Sequence, residues 1–213
     1  MILNLIFQIF NSERDVTIHE AGHLLQYVKY LAKQEYSERH FKTRLKKAEF
    51  ICAAPTGGFV SFNFPFRKNQ VNIDTRLGGM TAELASKNKR FNFISLVKHI
   101  FINGCAADIH QLQLCGLSNK DIIKRVNEQI DNLSASDKVF IHNISEMLLS
   151  REKKEHKRTR YASHFIENDE IFSICLKYYQ TNHSKFWPIE IIPYDINIIA
   201  VNKNIAAQNE KKI

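Results

Sequence analysis

Residues 12–36 read SERDVTIHEAGHLLQYVKYLAKQEY, and this stretch predicts the helix on which the fold and its candidate functional residues depend. Apolar side chains recur in it at the spacing of an amphipathic helix, and Ser12 or Asp15 can cap the helix start. Within it, His19 to His23 spell HEAGH. On a helix the two histidines lie one turn apart on the same face, so both imidazoles can reach one metal ion. We therefore predict a helix that carries two metal ligands.

The residues between these histidines fit the chemistry of a hydrolytic zinc site. Glu20 follows His19 directly, and its carboxylate can take a proton from a water bound to the metal. Two neutral nitrogens and one carboxylate suit Zn²⁺ and leave a fourth position open. Gly22 weakens a helix interior by about 1 kcal/mol, which suggests that a neighbouring strand or a substrate approaches the backbone there. A surface helix with two unrelated histidines is the weaker interpretation.

A third protein ligand has to come from elsewhere in the chain, and acidic residues are the candidates. One of them, Asp121, is expected in the first turn of a capped helix, where a carboxylate is held with little freedom. The same position also suits an ordinary aspartate that complements the helix dipole. The residues alone leave both interpretations open. The acidic candidates downstream include Glu83, Asp108, Asp121, Glu128 and Asp131.

Composition and pattern predict a mainly α (α+β) fold. The chain has 213 residues, of which 44% are hydrophobic and 24% charged, as in a globular protein with one sizeable core. Residues 1–150 are predicted to form the zinc domain and residues 151–213 a helical C-terminal extension. Strands at Lys47–Ala54 and Phe59–Phe64 are expected to form a hairpin. Helices are expected within residues 12–47, 75–89, 91–114, 118–133, 134–150 and 161–180.

The charge and the chain start bear on partners and location. The net charge of +8 could indicate nucleic acid, but the basic residues fall in two helical stretches, 39–47 and 151–160, without a nucleic-acid-binding motif. Solvated helix faces are the favoured interpretation, so nucleic acid is disfavoured as a partner. No apolar run is long enough to span a bilayer, and Met1–Phe10 lacks the features of a signal peptide. We predict a cytoplasmic protein, with its four scattered cysteines as buried reduced thiols.

The motifs resemble, in order, those of the FtsH-type peptidases, the membrane-bound ATP-dependent proteases of bacteria and organelles. HEAGH looks like the zinc motif of that family, and residues 58–62, GFVSF, are similar to its strand that begins with Gly and edges the cleft. Residues 103–108, NGCAAD, stand where the family has Gly-Gly-x-x-Ala-Glu. Residues 116–121, GLSNKD, resemble Gly-Ala-Ser-Asn-Asp with one residue inserted, and that Asp is the third zinc ligand of the family.

This resemblance implies a zinc-dependent metallopeptidase that hydrolyses peptide bonds by metal-activated water. Its zinc ligands would be His19, His23 and Asp121, with Asp108 as the second choice for the third ligand. Glu20 would be the general base. The resemblance also implies a helical metallopeptidase domain with a small hairpin or sheet edging the active-site cleft, where a strand pairs with an extended polypeptide.

The sequence also departs from the family. The match covers about residues 12–150, contains neither a transmembrane segment nor a phosphate-binding loop of the GxxxxGK[ST] type, and has residues 63–90 as an apparent insertion. The expected substrates are therefore unfolded or flexible polypeptides, unless a separate ATPase partner supplies the unfolding. Family members form rings, which makes a homo-oligomer a further expectation. The competing prediction is a catalytically inactive FtsH-peptidase-like binding or regulatory protein.

Overall fold

The computed structural model describes residues 12–34, 38–45, 48–54, 57–62, 70–101, 105–155 and 162–186. These residues contain eight helices and three short strands, so the predicted mainly helical fold with a small sheet is confirmed. The helices are α1 Glu13–Gln34, α2 Glu38–Leu45, α3 Gln70–Ser86, α4 Phe93–Phe101, α5 Ala106–Leu114, α6 Asn119–Asp131, α7 Ala135–Ser150 and α8 Asn168–Phe186. The strands are β1 Ala48–Ala54, β2 Gly57–Phe62 and β3 His164–Glu167.

α1 is the central helix of the fold. The backbone N–H of Asp15 donates to Oγ of Ser12 at 3.1 Å, which caps the helix start as the sequence predicts. Every residue from Val16 to Leu25 is buried, because α1 contacts α3, α7, α8 and the sheet. The HEAGH motif therefore lies in the middle of the core, where packing restricts the motion of its side chains.

α1 and α3 cross with their backbones in contact. A Cβ atom added to Gly22 would lie 2.2 Å from the carbonyl oxygen of Gly78, and one added to Gly78 would lie 2.5 Å from the oxygen of Gly22. Such distances leave no room for a side chain on either helix. The prediction that something approaches Gly22 closely is confirmed, but the neighbour is a helix and neither a strand nor a substrate.

Two apolar clusters pack on either side of α3. One joins α1, α7 and α8 and includes Leu24, Ala82 and Ile144. The other joins α3, α4, α5 and α6 and includes Leu77 and Leu112. Because α3 contributes to both clusters, it links the helix that carries HEAGH to α5.

The sheet has the order β2-β1-β3, and both pairs are antiparallel. Ile51 of β1 pairs with Val60 of β2 on one side and with Ile166 of β3 on the other. The predicted hairpin is confirmed. The prediction of a helix from residue 161 is wrong at its start, because His164–Glu167 pairs with β1 and α8 begins only at Asn168.

Two further helix predictions need correction. α3 begins at Gln70, five residues before the helix predicted within 75–89, and it runs through Gly78. The stretch 91–114, predicted as one helix, forms α4 and α5, and α5 starts after Cys105. The inner faces of both helices are apolar, so the pattern of apolar residues hides the break between them.

The predicted starts of α6 and α7 are confirmed by their caps. Oγ of Ser118 accepts from the backbone N–H of Asp121, and the Asp121 carboxylate accepts from the backbone N–H of Ser118, which forms a capping box. Ser134 and Asp137 form the same arrangement at the start of α7. These local hydrogen bonds fix where both helices begin.

The predicted boundary at residue 150 does not separate two cores. β3 adds a strand to the sheet, and α8 buries Ile171 and Tyr179 in the same cluster as α1 and α7. The described part of the C-terminal region therefore packs onto the rest of the protein. Met1–Phe10, which the sequence distinguishes from a signal peptide, lies outside the described residues. None of the described helices is both long enough and apolar enough to span a bilayer.

Candidate metal centre

The two histidines of HEAGH point their Nε2 atoms at one place. The Nε2 atoms of His19 and His23 are 2.9 Å apart, and the rings meet edge to face with their centroids separated by 4.6 Å. Both residues are buried. The predicted placement of two imidazoles on one helical face is therefore confirmed.

Asp108, in the first turn of α5, brings a carboxylate to the same place. Its Oδ2 lies 3.2 Å from Nε2 of His19 and 3.3 Å from Nε2 of His23. Its other oxygen, Oδ1, accepts from Nη1 of Arg76 at 2.9 Å. Two nitrogens and one oxygen thus form a triangle with edges between 2.9 and 3.3 Å.

The structure does not bring Asp121 to the histidines. Its Oδ2 accepts from the backbone N–H of Ser118 at 3.1 Å and from the Ser118 hydroxyl at 2.5 Å. The residue is exposed and lines a surface cavity beside Lys29 and Arg125. The geometry therefore replaces Asp121 with Asp108 as the candidate third ligand. The Asp121 carboxylate instead caps the start of α6, which is the other interpretation that the sequence left open.

The sequence does contain a signal for Asp108. Residues 78–83 read GGMTAE and satisfy the pattern Gly-Gly-x-x-Ala-Glu without a substitution. Residues 104–108, GCAAD, match the length of Gly-Ala-Ser-Asn-Asp without an insertion and end on Asp108. This register places both patterns earlier in the chain than the predicted alignment does, and it would put the first pattern on α3, within the apparent insertion 63–90.

α3 also fixes which nitrogen of each ring is free. Nδ1 of His23 lies 2.6 Å from the backbone oxygen of Thr75, and Nδ1 of His19 lies 2.6 Å from Oε1 of Glu83. A carbonyl oxygen and an ionised carboxylate only accept, so both Nδ1 atoms carry the hydrogen. In a neutral imidazole this leaves Nε2 as the atom with a free lone pair. When both imidazoles are neutral, both lone pairs are therefore available for a metal.

Gly79 makes room for one of these rings. A Cβ atom added to Gly79 would lie 2.4 Å from Nε2 of His19. Thr75, Gly79 and Glu83 follow one another at helical spacing, so one face of α3 forms the wall behind both imidazoles. The sequence offers Glu83 only as a candidate ligand, and it predicts no role for Thr75 or Gly79.

Glu83 is a buried carboxylate that remains ionised. Burial raises its pKa, but hydrogen bonds and charge from His19 and His99 outweigh this effect and lower the pKa to about 2. Nε2 of His99 lies 3.6 Å from Oε2 of Glu83. A charged acceptor on Nδ1 holds the ring of His19 in place and increases the basicity of Nε2.

Cys105 completes the surroundings of Glu83. Its Sγ lies 3.6 Å from Oε1 of Glu83 and 3.6 Å from Nδ1 of His19. Burial raises the pKa of the Cys105 thiol to about 12, so it is protonated near neutral pH. Cys105 and Cys175 are buried free thiols, as predicted, and Cys115 is half-buried. The side chain of Cys52 lies outside the described residues.

Glu20 is placed to exchange a proton. Only 4% of the residue is exposed, and its Oε2 is buried without a hydrogen-bond partner among the described residues. Burial raises the pKa of Glu20 to about 7, although the nearby His23 and His19 oppose this shift. A carboxylate with such a pKa suits a general base that works near neutral pH.

Comparison with known proteins gives no independent support for a function. No protein-family model, no curated protein and no solved structure matches this chain. The chemistry of the cluster therefore carries the functional inference. His19, His23 and Asp108 are its candidate ligands, and Glu20 is its candidate base.

Proposed function

We propose that this chain is a zinc-dependent metallopeptidase that resembles the peptidase domain of FtsH-type proteases. Nε2 of His19, Nε2 of His23 and Oδ2 of Asp108 would hold the Zn²⁺. The observation that carries the proposal is the separation of these atoms, 2.9 to 3.3 Å. Ligands about 2.0–2.1 Å from a tetrahedral zinc lie about 3.3 Å from one another, so the triangle is close to the size that zinc needs.

The donors also suit the ion. Two neutral imidazoles and one carboxylate are a frequent ligand set of catalytic zinc, which keeps a fourth position for water. The partners on α3 leave Nε2 free on both rings. In addition, three buried or largely buried carboxylates, Glu20, Glu83 and Asp108, surround this point and favour a cation there.

The catalytic role of the protein falls to Glu20. When bound, Zn²⁺ lowers the pKa of its water to about 7 and polarises the peptide carbonyl. Glu20 accepts the proton of the attacking water on Oε2, the carboxylate oxygen that has no hydrogen-bond partner among the described residues. It then returns this proton to the amine that leaves. Burial supports this role, since it raises the pKa of Glu20 to about 7, near neutral pH.

The proposed substrate is an unfolded or flexible polypeptide. β2 is an outer strand of the described sheet, and β1 and β2 both contact α1, which carries Glu20. An outer strand offers unpaired backbone groups to which an extended peptide can add. A separate ATPase that unfolds substrates and a homo-oligomeric assembly belong to the same proposal, through the resemblance.

The direct test measures zinc and peptide cleavage in the same samples. We expect the purified wild type to carry zinc and to cleave casein. Glu20→Gln should keep its zinc and lose cleavage, because the amide cannot accept the proton. Glu128→Gln changes an exposed glutamate on α6 and serves as the matched control, with zinc and cleavage retained.

The other outcomes discriminate between the alternatives. A wild type that binds zinc but cleaves no unfolded protein would favour the inactive binding protein. A wild type without affinity for zinc would assign the contacts around Asp108 to hydrogen bonds among protonated side chains, and would overturn the proposal. Equal cleavage by Glu20→Gln and the wild type would remove Glu20 as the base.

A further inference from the structure

Arg76 contacts the candidate ligand that the two histidines share. Its Nη1 donates to Oδ1 of Asp108 at 2.9 Å, while Oδ2 of the same carboxylate faces both imidazoles. The side chain of Arg76 is 22% exposed and that of Asp108 16% exposed. The two oxygens of the Asp108 carboxylate thus have different partners: Oδ1 contacts Arg76, and Oδ2 faces the histidines.

We propose that Arg76 is a positioning residue of the cation site, which holds Asp108 so that a single oxygen faces the metal. This inference rests on the proposed zinc site. The guanidinium occupies Oδ1, so the carboxylate can bind the ion only through Oδ2. A charge-assisted hydrogen bond of this kind also fixes the rotation of the carboxylate.

The arrangement on α3 supports this role. Each of the three candidate ligands has one hydrogen-bond partner on that helix: Thr75 for His23, Glu83 for His19 and Arg76 for Asp108. Thr75 and Arg76 are adjacent, and Glu83 lies two turns further along the helix. Since α3 is locked to α1 at the glycine crossing, one rigid element orients all three ligands.

The charges of the cluster lead to the same conclusion. Glu20, Glu83 and Asp108 place acidic side chains around the candidate cation site, and Arg76 is the basic side chain that contacts one of them. An uncompensated charge in a buried site is costly, which is a physical reason for an arginine here.

A guanidinium near the metal also repels it, and the two effects predict opposite results. If repulsion dominated, removal of the charge would tighten the binding of Zn²⁺. If positioning dominates, its removal weakens binding, and the loss of an outer partner of a ligand typically costs about 10- to 100-fold in metal affinity. We expect positioning to dominate, because Arg76 contacts the oxygen that faces away from the imidazoles.

The test measures the affinity for Zn²⁺ by competition with a chromogenic chelator, which requires no catalysis. We expect Arg76→Gln to bind Zn²⁺ about 10- to 100-fold more weakly than the wild type. Arg76→Lys should recover most of the affinity, because the contact with Asp108 is made by one nitrogen. Arg90→Gln is the matched control, since Arg90 pairs with Asp131 at the surface, and it should bind as the wild type does.

A second variant covers the case in which Arg76→Gln does not fold, and a spectrum gives an independent measurement of the site. Arg76→Met keeps the apolar stem of the side chain and should show the same loss as Arg76→Gln, so either folded variant decides the question. The visible absorption of bound Co²⁺ should change in these variants and remain unchanged in Arg90→Gln, because it reports the geometry of the ligands.

Failure of the role of Arg76 and failure of the proposed zinc site would give different results. Equal or tighter Zn²⁺ binding by a folded Arg76→Gln or Arg76→Met, in a protein whose wild type binds zinc, would overturn the role of Arg76 alone. A wild type without zinc affinity would overturn the proposed function and this inference with it.

Discussion

Gly79 and the ring of His19 occupy adjoining space, such that a single methyl group on the glycine would overlap the imidazole. The added Cβ would lie 2.4 Å from Nε2 of His19 and 2.5 Å from its Cε1. The ring cannot simply turn away, because Glu83 holds its Nδ1 at 2.6 Å. The absence of a side chain at residue 79 is therefore a condition for placing the candidate ligand.

This contact predicts the effect of Gly79→Ala. We expect the variant to bind Zn²⁺ at least about 10-fold more weakly, since the ring must shift, and to lose about 1–3 kcal/mol of the free energy of unfolding through overpacking. Gly116→Ala is the control: its φ of +90° strains an alanine, but nothing lies within 4 Å of the added Cβ. It should lose stability and keep its zinc affinity. Unchanged zinc affinity in Gly79→Ala would contradict the geometry.

Asp108 and Asp121 should respond differently to the same substitution. Asp108→Asn replaces a carboxylate oxygen that faces two imidazoles, so we expect a loss of zinc affinity of more than about 100-fold. Asp121→Asn changes only the start of α6 and should retain zinc. The measurement is zinc titration of both variants after circular dichroism has shown that they are folded. Loss of zinc in Asp121→Asn alone would restore the earlier assignment.

The difference between these two aspartates shows what the sequence can reveal. The capping box of Asp121 involves only the residues of one turn, so the sequence predicts the start of α6 and the Ser118 cap correctly. The same local signal made Asp121 attractive as a ligand. The place of Asp108 depends on how α5 packs against α3 and α1, which the residues of one helical turn do not determine. In the sequence, only the resemblance of residues 104–108 to a family pattern points to it.

α3 and β3 were difficult to predict for related reasons. Gly78 and Gly79 weaken a helix by propensity, so the sequence pattern places the start of α3 too late. In the folded chain their lack of side chains lets α1 and the His19 ring approach, and this packing offsets the cost. β3 has four residues and exists through its pairing with β1, which helical periodicity in the flanking sequence conceals.

Removal of the metal should abolish cleavage and leave the fold intact. The two apolar clusters on either side of α3 consist of hydrophobic side chains and include none of the three candidate ligands. We therefore expect a chelator to stop casein cleavage without lowering the helical signal in circular dichroism. Added Zn²⁺ at 100 times its Kd should raise the free energy of unfolding by about 2.7 kcal/mol. Collapse of the helical signal on chelation would show that the metal is structural.

A buried aspartate remote from the cluster predicts how stability depends on pH. Asp137 receives hydrogen bonds from Nζ of Lys29, at 2.9 Å, and from the Tyr178 hydroxyl. Burial raises its pKa, but these two bonds outweigh burial, and the pKa of Asp137 lies below its ordinary value. A folded-state pKa below the unfolded value means that the contribution is complete above the unfolded value, near pH 4, and is lost as the pH falls through the folded value.

Asp137→Asn tests this contribution. At pH 7 we expect the variant to lose about 2 kcal/mol of the free energy of unfolding, because Lys29 and Tyr178 lose a charged acceptor. The difference between variant and wild type should shrink as the pH falls below about 4, because Asp137 of the unfolded wild type then takes up a proton before that of the folded wild type does. Urea unfolding of both proteins at pH 7 and pH 3 measures it. A difference that stays the same at both values would show that shape and packing, rather than the charge of Asp137, stabilise this contact between α1, α7 and α8.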